Sequence, residues 1–283
     1  MDKGARAWTE TVRADSGWFD LRLRELWAYR DLVLLFVRRD FVSLYKQTIL
    51  GPLWLVLQPV LTTLAFTVVF GNFAGLSTDG LPHMAFYLCG LVAWRYFADC
   101  LTRTADTFVS SAGLFGKVYF PRLAVPVSRV VSGLFTLGIQ FALFLAVCAW
   151  FMASGAPIRP RPEALLAPLL VLLMAVQGLG LGIIVSSMTT KYRDLRFLIS
   201  FGVQLLMYLT PVIYPVSLVP AQYRELAMLN PVAPVIEALR YGFLGQGAFS
   251  PAHLGLSAAV SLALLLLGLV LFNRVEKTFM DTV

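Results

Sequence analysis

Residues 52–73, "PLWLVLQPVLTTLAFTVVFGNF", carry no charged side chain. Coiled as an α-helix at about 1.5 Å per residue, the segment is about 33 Å long, enough to cross about 30 Å of hydrocarbon. A helix also satisfies every backbone N–H and C=O from within the segment, which lipid demands. Pro52 suits the first turn, where its missing N–H has no acceptor to serve. Pro59, about two turns further on, predicts a kink.

Composition extends this reading to the whole chain. Of 283 residues, 58% are hydrophobic and 14% charged, against roughly 25% charged in soluble domains. Five further apolar runs, at 84–108, 127–152, 164–188, 197–214 and 253–272, approach the same length. The expected fold is an all-α integral membrane protein. Its domain over 49–283 holds six transmembrane helices, preceded by a cytoplasmic tail and amphipathic interface helix over 1–48.

The basic excess, 23 Lys and Arg against 16 Asp and Glu, is the kind of balance that nucleic-acid binding produces, but its distribution argues otherwise. Eighteen of the 23 fall before the first span, between Arg103 and Arg129, in "KYRDLR" or in "NRVEK". With an internal N-terminus, all four regions lie on the cytoplasmic side, so both termini are expected there and no nucleic-acid partner is expected. The charged first residues lack the continuous apolar run of a cleavable signal peptide. Cys89, Cys100 and Cys148 are isolated inside spans and read as small hydrophobes. His83 and His253 flank spans at their outer ends, far apart in sequence, and no metal site is expected.

Ahead of the first span, "LRLRELWAYRDLVLLFVRRDFVSLYKQT" places Leu23, Leu26, Trp27, Leu34, Val37, Phe41, Leu44 and Tyr45 on one helical face, with Glu25, Arg39 and Lys46 opposite. That pattern predicts one long helix in the membrane interface. In the second span, "WRYFADCLTRTAD" repeats Arg95, Asp99 and Arg103 every four residues along one face. Charges at that depth are costly, so they are expected to pair and to face the bundle interior or a wet cavity. In the fourth span, "QGLGLG" sets Gly178 and Gly182 four apart and predicts a close helix approach. "PAQYRELAML" and "NPVAPVIEALRYGFL" open with Pro or Asn-Pro and are too short to cross singly. They are read as a re-entrant hairpin over 220–244, with Asn230 capping the second helix and Pro231 at its first position.

"GLFGKVYFPR", residues 113–122, nearly matches a phosphate-binding P-loop. Ser111 replaces the first glycine and Val118 the metal-binding hydroxyl, so no nucleotide site and no cofactor are expected in this chain. Between the second and third spans, the segment is suited to the grip of a separate ATPase. Phe115, Tyr119 and Phe120 would fill a cleft on it, and Lys117 and Arg122 would meet its carboxylates. The plainer reading is a set of positive-inside and interfacial aromatic residues. Phe66, Phe70, Tyr208 and Tyr214 are the aromatic candidates to line a path through the bundle, beside Arg95 and Asp99.

Taken in order, "KQTILGPLW", "GKVYFPRLAVPVSRVV", "TKYRDLRF", "TPVIYP" and "NPVAPVIEALRYGFL" resemble the permease subunit of polysaccharide-exporting ABC transporters, of the O-antigen or teichoic acid type. The similarity covers about residues 20–275. It implies a six-span half-channel in the bacterial inner membrane, working as a homodimer with two copies of an ATP-binding subunit that holds ATP and Mg. It implies an undecaprenyl-diphosphate-linked glycan, O-antigen first, as cargo. The resemblance makes Gly116 to Arg122 the coupling helix and Pro220 to Leu244 the gate helices, with Pro220, Asn230, Pro231, Glu237 and Arg240 as gate residues. Arg30, Arg38, Arg39 and Lys46 become the residues to meet the diphosphate. Two other classes stand against it. An ion-coupled flippase would show two similar halves with matching broken helices. A membrane-embedded transferase would need paired carboxylates, for which only Asp99 and Asp106 come close.

Overall fold

A computed structural model describes residues 23–43, 46, 51–115, 118, 120–189 and 194–278. Among the described residues every regular element is helical. The chain begins with α1 (Leu23–Ala28) and α2 (Arg30–Ser43). The first long helix, Gly51–Phe73, consists of a 3-10 turn, α3 (Trp54–Phe66) and a π-helical end, Thr67–Phe73. Next come α4 (His83–Ala105), α5 (Thr107–Phe115), α6 (Ala124–Ala153) and α7 (Ala167–Thr189). The last four are α8 (Leu195–Leu209), α9 (Ala221–Leu229), α10 (Ala233–Leu244) and α11 (Pro251–Thr278).

Among the described residues, five helical stretches are long and apolar enough to cross a membrane: Gly51–Phe73, His83–Ala105, Ala124–Ala153, Pro162–Thr189 and Pro251–Val275. These match five of the six expected spans. The remaining one differs. The run 197–214 is helical only to Leu209, because Thr210 turns extended (φ −92°, ψ 141°) ahead of Pro211, and a residue before proline is pushed out of the α region. At 15 residues, α8 is about 22 Å long, short of the hydrocarbon thickness.

The middle of the bundle is α4. Some 78% of its apolar stretch is buried inside the protein, against 11% of the first helix. It packs on α6, α7 and α10. Gly178 and Gly182 form the approach to α7: a Cβ on either would stand 2.5 Å from the Cβ of Cys100 or Thr104. The sequence-based expectation at these two glycines is met. On the other side of α7, Gly180 meets the backbone of α11 at Leu265. Cys89, Cys100 and Cys148 are all buried in this core. Pro59 inside α3 has no N–H for the Leu55 carbonyl, and Gln140 of α6 supplies the missing donor from 3.4 Å. A proline that costs one helix its bond thereby ties two helices together.

Three local expectations need correction. The second span was expected to run to Phe108, but the helix breaks at Asp106 (φ −88°, ψ 6°) and α5 starts afresh at Thr107. The single interface helix is two helices, separated at Tyr29. Its inward face is Val33, Phe36 and Val37, while Trp27, Leu34 and Leu35 are exposed. The stripe that is buried is the one that packs on α6, and the other apolar side chains remain available to lipid. Leu44 and Tyr45 lie outside the described residues. Lastly, Asn230 does not cap α10. It closes the turn after α9: its Oδ1 accepts the Val232 N–H at 3.1 Å and its Nδ2 donates to Thr210 Oγ1 at 2.8 Å. Val232 is the N-cap. Pro231 stands ahead of the helix, and its carbonyl accepts hydrogen bonds from Gln177 and Ser257.

Candidate functional site

Polar groups inside an apolar bundle mark where the protein departs from simple packing. Among the described residues the charged ones discussed below gather in three places along α4 and α10.

Midway along α4, Arg95 Nη2 donates to Gln58 Oε1 of α3 at 2.6 Å. Among the described residues Arg95 makes no ion pair with Asp99. The expected pairing is corrected in part: the hydrogen-bond partner of Arg95 lies across the groove, on the preceding helix, while Asp99 stays within electrostatic reach of Arg95 and Arg103. A neutral amide accepts the guanidinium and leaves Arg95 its charge. Gln58 is exposed, and Arg95 and Asp99 are half-buried. Charged side chains with open surface at this depth require water or protein rather than hydrocarbon. This face of α4 thus borders a wet path or a second protein surface.

Where that face ends, the last turn of α4 meets α2, α6 and α8 around an open cavity of about 610 Å³. Arg39, Asp40, Thr102, Arg103, Asp106 and Arg129 are among its lining residues. The three arginines are held differently. Arg39 donates through Nε and Nη2 to Asp40 Oδ1, at 3.0 and 2.8 Å, and lies 5.0 Å above the Phe36 ring. Arg129 reaches from α6 to the carbonyl of Arg103 and to Ser110 Oγ at 2.7 Å. It thereby serves a carbonyl in the last turn of α4, which the helix leaves unbonded, and ties α4 to α5. Arg103 itself is exposed, and among the described residues its guanidinium has no hydrogen bond or ion pair. Of the four residues expected to meet a diphosphate, only Arg39 lines this cavity. Arg30 turns back to the Trp27 carbonyl at 3.5 Å, and Arg38 and Lys46 are exposed elsewhere. The sequence reading placed Arg103 on the charged face of the second span and counted Arg129 only as positive-inside charge.

At the opposite end, α10 is buried along most of its length. Glu237 and Arg240, each 1% exposed, form an ion pair at 2.9 Å. Arg240 Nη1 also donates to the Pro211 carbonyl, Nη2 to the Val212 carbonyl, and the guanidinium lies 3.8 Å over Phe86 of α4. Glu237 Oε2 accepts the Ala248 N–H at 2.9 Å. One ion pair thus joins α10, the segment after α8, the segment before α11 and α4. Pro220 begins α9 as its N-cap. That helix is mostly exposed and touches α11 through Glu225 and His253, 3.1 Å apart.

The aromatic residues divide. Phe66 packs edge-on against Phe70 and Tyr87, at 5.2 and 6.2 Å between centroids. Tyr208 is exposed on α8, and its carbonyl accepts the Tyr214 hydroxyl at 3.1 Å. In the 113–122 segment, Phe115 and Phe120 are buried in this chain's own cluster, 5.7 Å from each other. Phe120 lies 5.7 Å from Phe36 of α2. The expectation that these two rings fill a partner's cleft is not met in this conformation, because the partner they have is α2. Val118 is exposed, Pro121 is half-buried, and Arg122 lies 5.6 Å from the Phe115 ring. Gly116, Lys117 and Tyr119 lie outside the described residues.

Known proteins are similar to this sequence over most of its length. The chain is 25% identical over 251 residues to the O-antigen export system permease protein RfbA of Klebsiella pneumoniae, covering 89% of this chain and 94% of that one. It is 28% identical over 264 residues to the protein of the same name in Myxococcus xanthus, covering 92% and 98%. The polysialic acid transport protein KpsM of Escherichia coli is 22% identical over 251 residues, covering 86% and 93%. A family model described as "ABC-2 type transporter" matches residues 31–244, which include α2 from Asp31, the α4 face and the α10 ion pair. The chain belongs to the ABC-2 type transporter family.

Proposed function

We propose that this chain is the channel-forming subunit of an ABC exporter that carries an undecaprenyl-diphosphate-linked polysaccharide, O-antigen, across the bacterial inner membrane. Two copies would enclose the path, and two ATP-binding subunits, holding ATP and Mg, would drive it. The supporting observation is the open polar face of α4: Gln58, Arg95 and Asp99 lead into the arginine-lined cavity at its end. A hydrated polymer needs a wet wall with hydrogen-bonding groups, and a lone half-channel leaves that wall exposed. The names of the relatives support the cargo class.

In this reading the α2 end is cytoplasmic, in agreement with its excess of Lys and Arg. The 113–122 segment couples to the ATPase through its exposed surface, while the buried Phe115 and Phe120 anchor it to α2. The short α8, with α9 and α10, forms the outer gate, α9 and α10 folding as the re-entrant pair. The test is purification from the native membrane under mild detergent. An ATP-binding subunit should accompany the chain in equal amount, and the complex in vesicles should move lipid-linked glycan only with ATP. Glycan movement driven by an ion gradient, without such a subunit, would replace this reading with an ion-coupled flippase.

A further inference from the structure

The two short helices α9 and α10 follow one another in the chain but are held by different means. α10 is strapped from outside by the segment between α6 and α7. The Arg161 N–H donates to the Gly242 carbonyl at 2.7 Å and the Arg159 N–H to the Leu244 carbonyl at 3.3 Å. The Arg161 guanidinium donates to the Tyr241 hydroxyl at 2.6 Å and to the Gly245 carbonyl at 3.1 Å, and lies 4.2 Å from the centre of the Tyr241 ring. A Cβ on Gly242 would stand 2.8 Å from the Ala164 nitrogen, so strap and helix meet backbone to backbone. With the buried Glu237–Arg240 pair added, α10 is fixed both to the strap and to the core. α9 has no comparable hold. Of its nine residues only Met228 is buried, in a cluster with Val216 and Ala233 that is separate from the main core. Its contact with α11 is the Glu225–His253 pair, in which the glutamate is 83% exposed. Arg224 donates to the carbonyls of Ser217 and Val219, in the turn just ahead of the helix. Beneath the pair, His253 Nδ1 is buried without a hydrogen-bond partner among the described residues, an unfavourable state that access of water would relieve.

So short a helix is marginal without tertiary packing, and segments with few buried contacts open at lower free energy than the core. We infer that α9 is a lid that opens from α10 and α11 as a unit, with the Glu225–His253 contact as its catch and Met228 as its apolar anchor, while α10 stays part of the fixed frame. The turning points are Val219-Pro220 and Asn230-Pro231, where the backbone leaves the α region (ψ 129° at Val219, 140° at Pro220 and 116° at Asn230), as hinges at the ends of elements do. Opening parts the ion pair and the three-residue cluster and leaves the main core intact. An exposed pair contributes little, so the catch biases the lid and Met228 carries most of its closure. What passes the opened lid rests on the proposed export function. The opening itself does not.

The experiment uses the full chain in nanodiscs of phosphatidylcholine and a water-soluble maleimide as the probe, with labelling followed by intact-protein mass spectrometry. Val216→Cys is the reporter, because Val216 is buried with Met228 but stands outside α9. Val235→Cys, on α10 and also buried, is the reference, and the buried Cys89, Cys100 and Cys148 give the background. Val216→Cys should react at least about tenfold faster than Val235→Cys. Adding Glu225→Gln should raise the Val216→Cys rate about two- to threefold, and adding Met228→Ala should raise it about tenfold. Neither should change the rate at Val235→Cys. Equal rates at the two positions overturn the lid. So does fast labelling of Val216→Cys that is indifferent to both Glu225→Gln and Met228→Ala, which would assign the reaction to fraying of the Val216–Leu218 turn. No cargo, nucleotide or ATP-binding subunit takes part, so a chain that proves to export no glycan in vesicles loses the export reading while these rates still decide the lid.

Discussion

Arg240 and Arg103 stand at opposite ends of the bundle and teach different lessons about charge in a membrane protein. Arg240 is sealed: both terminal nitrogens are bonded, a carboxylate is at 2.9 Å, and a phenyl ring lies beneath it. Arg103 faces an open cavity, and among the described residues its guanidinium makes no hydrogen bond or ion pair, with only the through-space attraction of Asp99 one turn back. One charge joins four segments of chain, and the other lies at an open surface. Residue type does not distinguish them; the count of satisfied hydrogen-bonding groups does.

The comparison is broken most severely at the sealed end. Arg240→Ala leaves Glu237 buried without its partner and should cost about 3–5 kcal/mol. Lower yield and a lower melting temperature of the detergent-solubilised protein would record it. The double variant Arg240→Met, Glu237→Leu should regain much of that loss, since two apolar side chains need no partner. Arg103→Gln should leave melting unchanged. A stability loss at Arg103 as large as at Arg240 would erase the distinction. A smaller effect is expected at the turn before α10. Asn230→Ala removes an acceptor from the Val232 N–H and a donor to Thr210, and should cost about 1–2 kcal/mol by thermal melting. Smallest is Asp40→Asn, which removes the carboxylate from the exposed Arg39. Pairs of this kind contribute about 0.2–1 kcal/mol, so melting should shift only slightly, and less in high salt.

How much of this was legible in the sequence depends on the range of each signal. Five long helices were plain because twenty or so apolar residues in a row have few other uses in a chain this hydrophobic. Gly178 and Gly182 were plain because small residues four apart share a face. The end of α8 was written in Thr210-Pro211, but the apolar run beyond it masked the stop. The electrostatic reach of Arg95 to Asp99 was legible from their spacing, but the hydrogen bond of Arg95 was not, because helical periodicity sees four residues away while Gln58 is 37 residues upstream on another helix. A lone amide in an otherwise apolar first span was the available clue. The inward face of α2 depends on α6, some ninety residues later, so no local pattern could separate Val33 from Leu34. Phe115 and Phe120 illustrate the same limit, since an aromatic cluster looks alike whether it reaches for a partner or for its own chain. The cavity needed α2, α4, α6 and α8 together, and it was legible only as scattered positive charge.

The burial of α4 has a consequence for how the chain is made. It is the least apolar of the five membrane-length helices and the most enclosed, and it carries Arg95, Asp99 and Arg103. On leaving the ribosome it meets a bilayer that offers those groups little, while α7, its tightest neighbour, is still tens of residues from synthesis. At that stage Gln58 of the first helix is the one long-helix partner already present for Arg95. Thr104 and Cys100 must wait for Gly182 and Gly178 before lipid is excluded from their side of the helix. The second helix is thus held in place by helices synthesised after it, and most of the enclosure of its charged face waits on α6, α7 and α10.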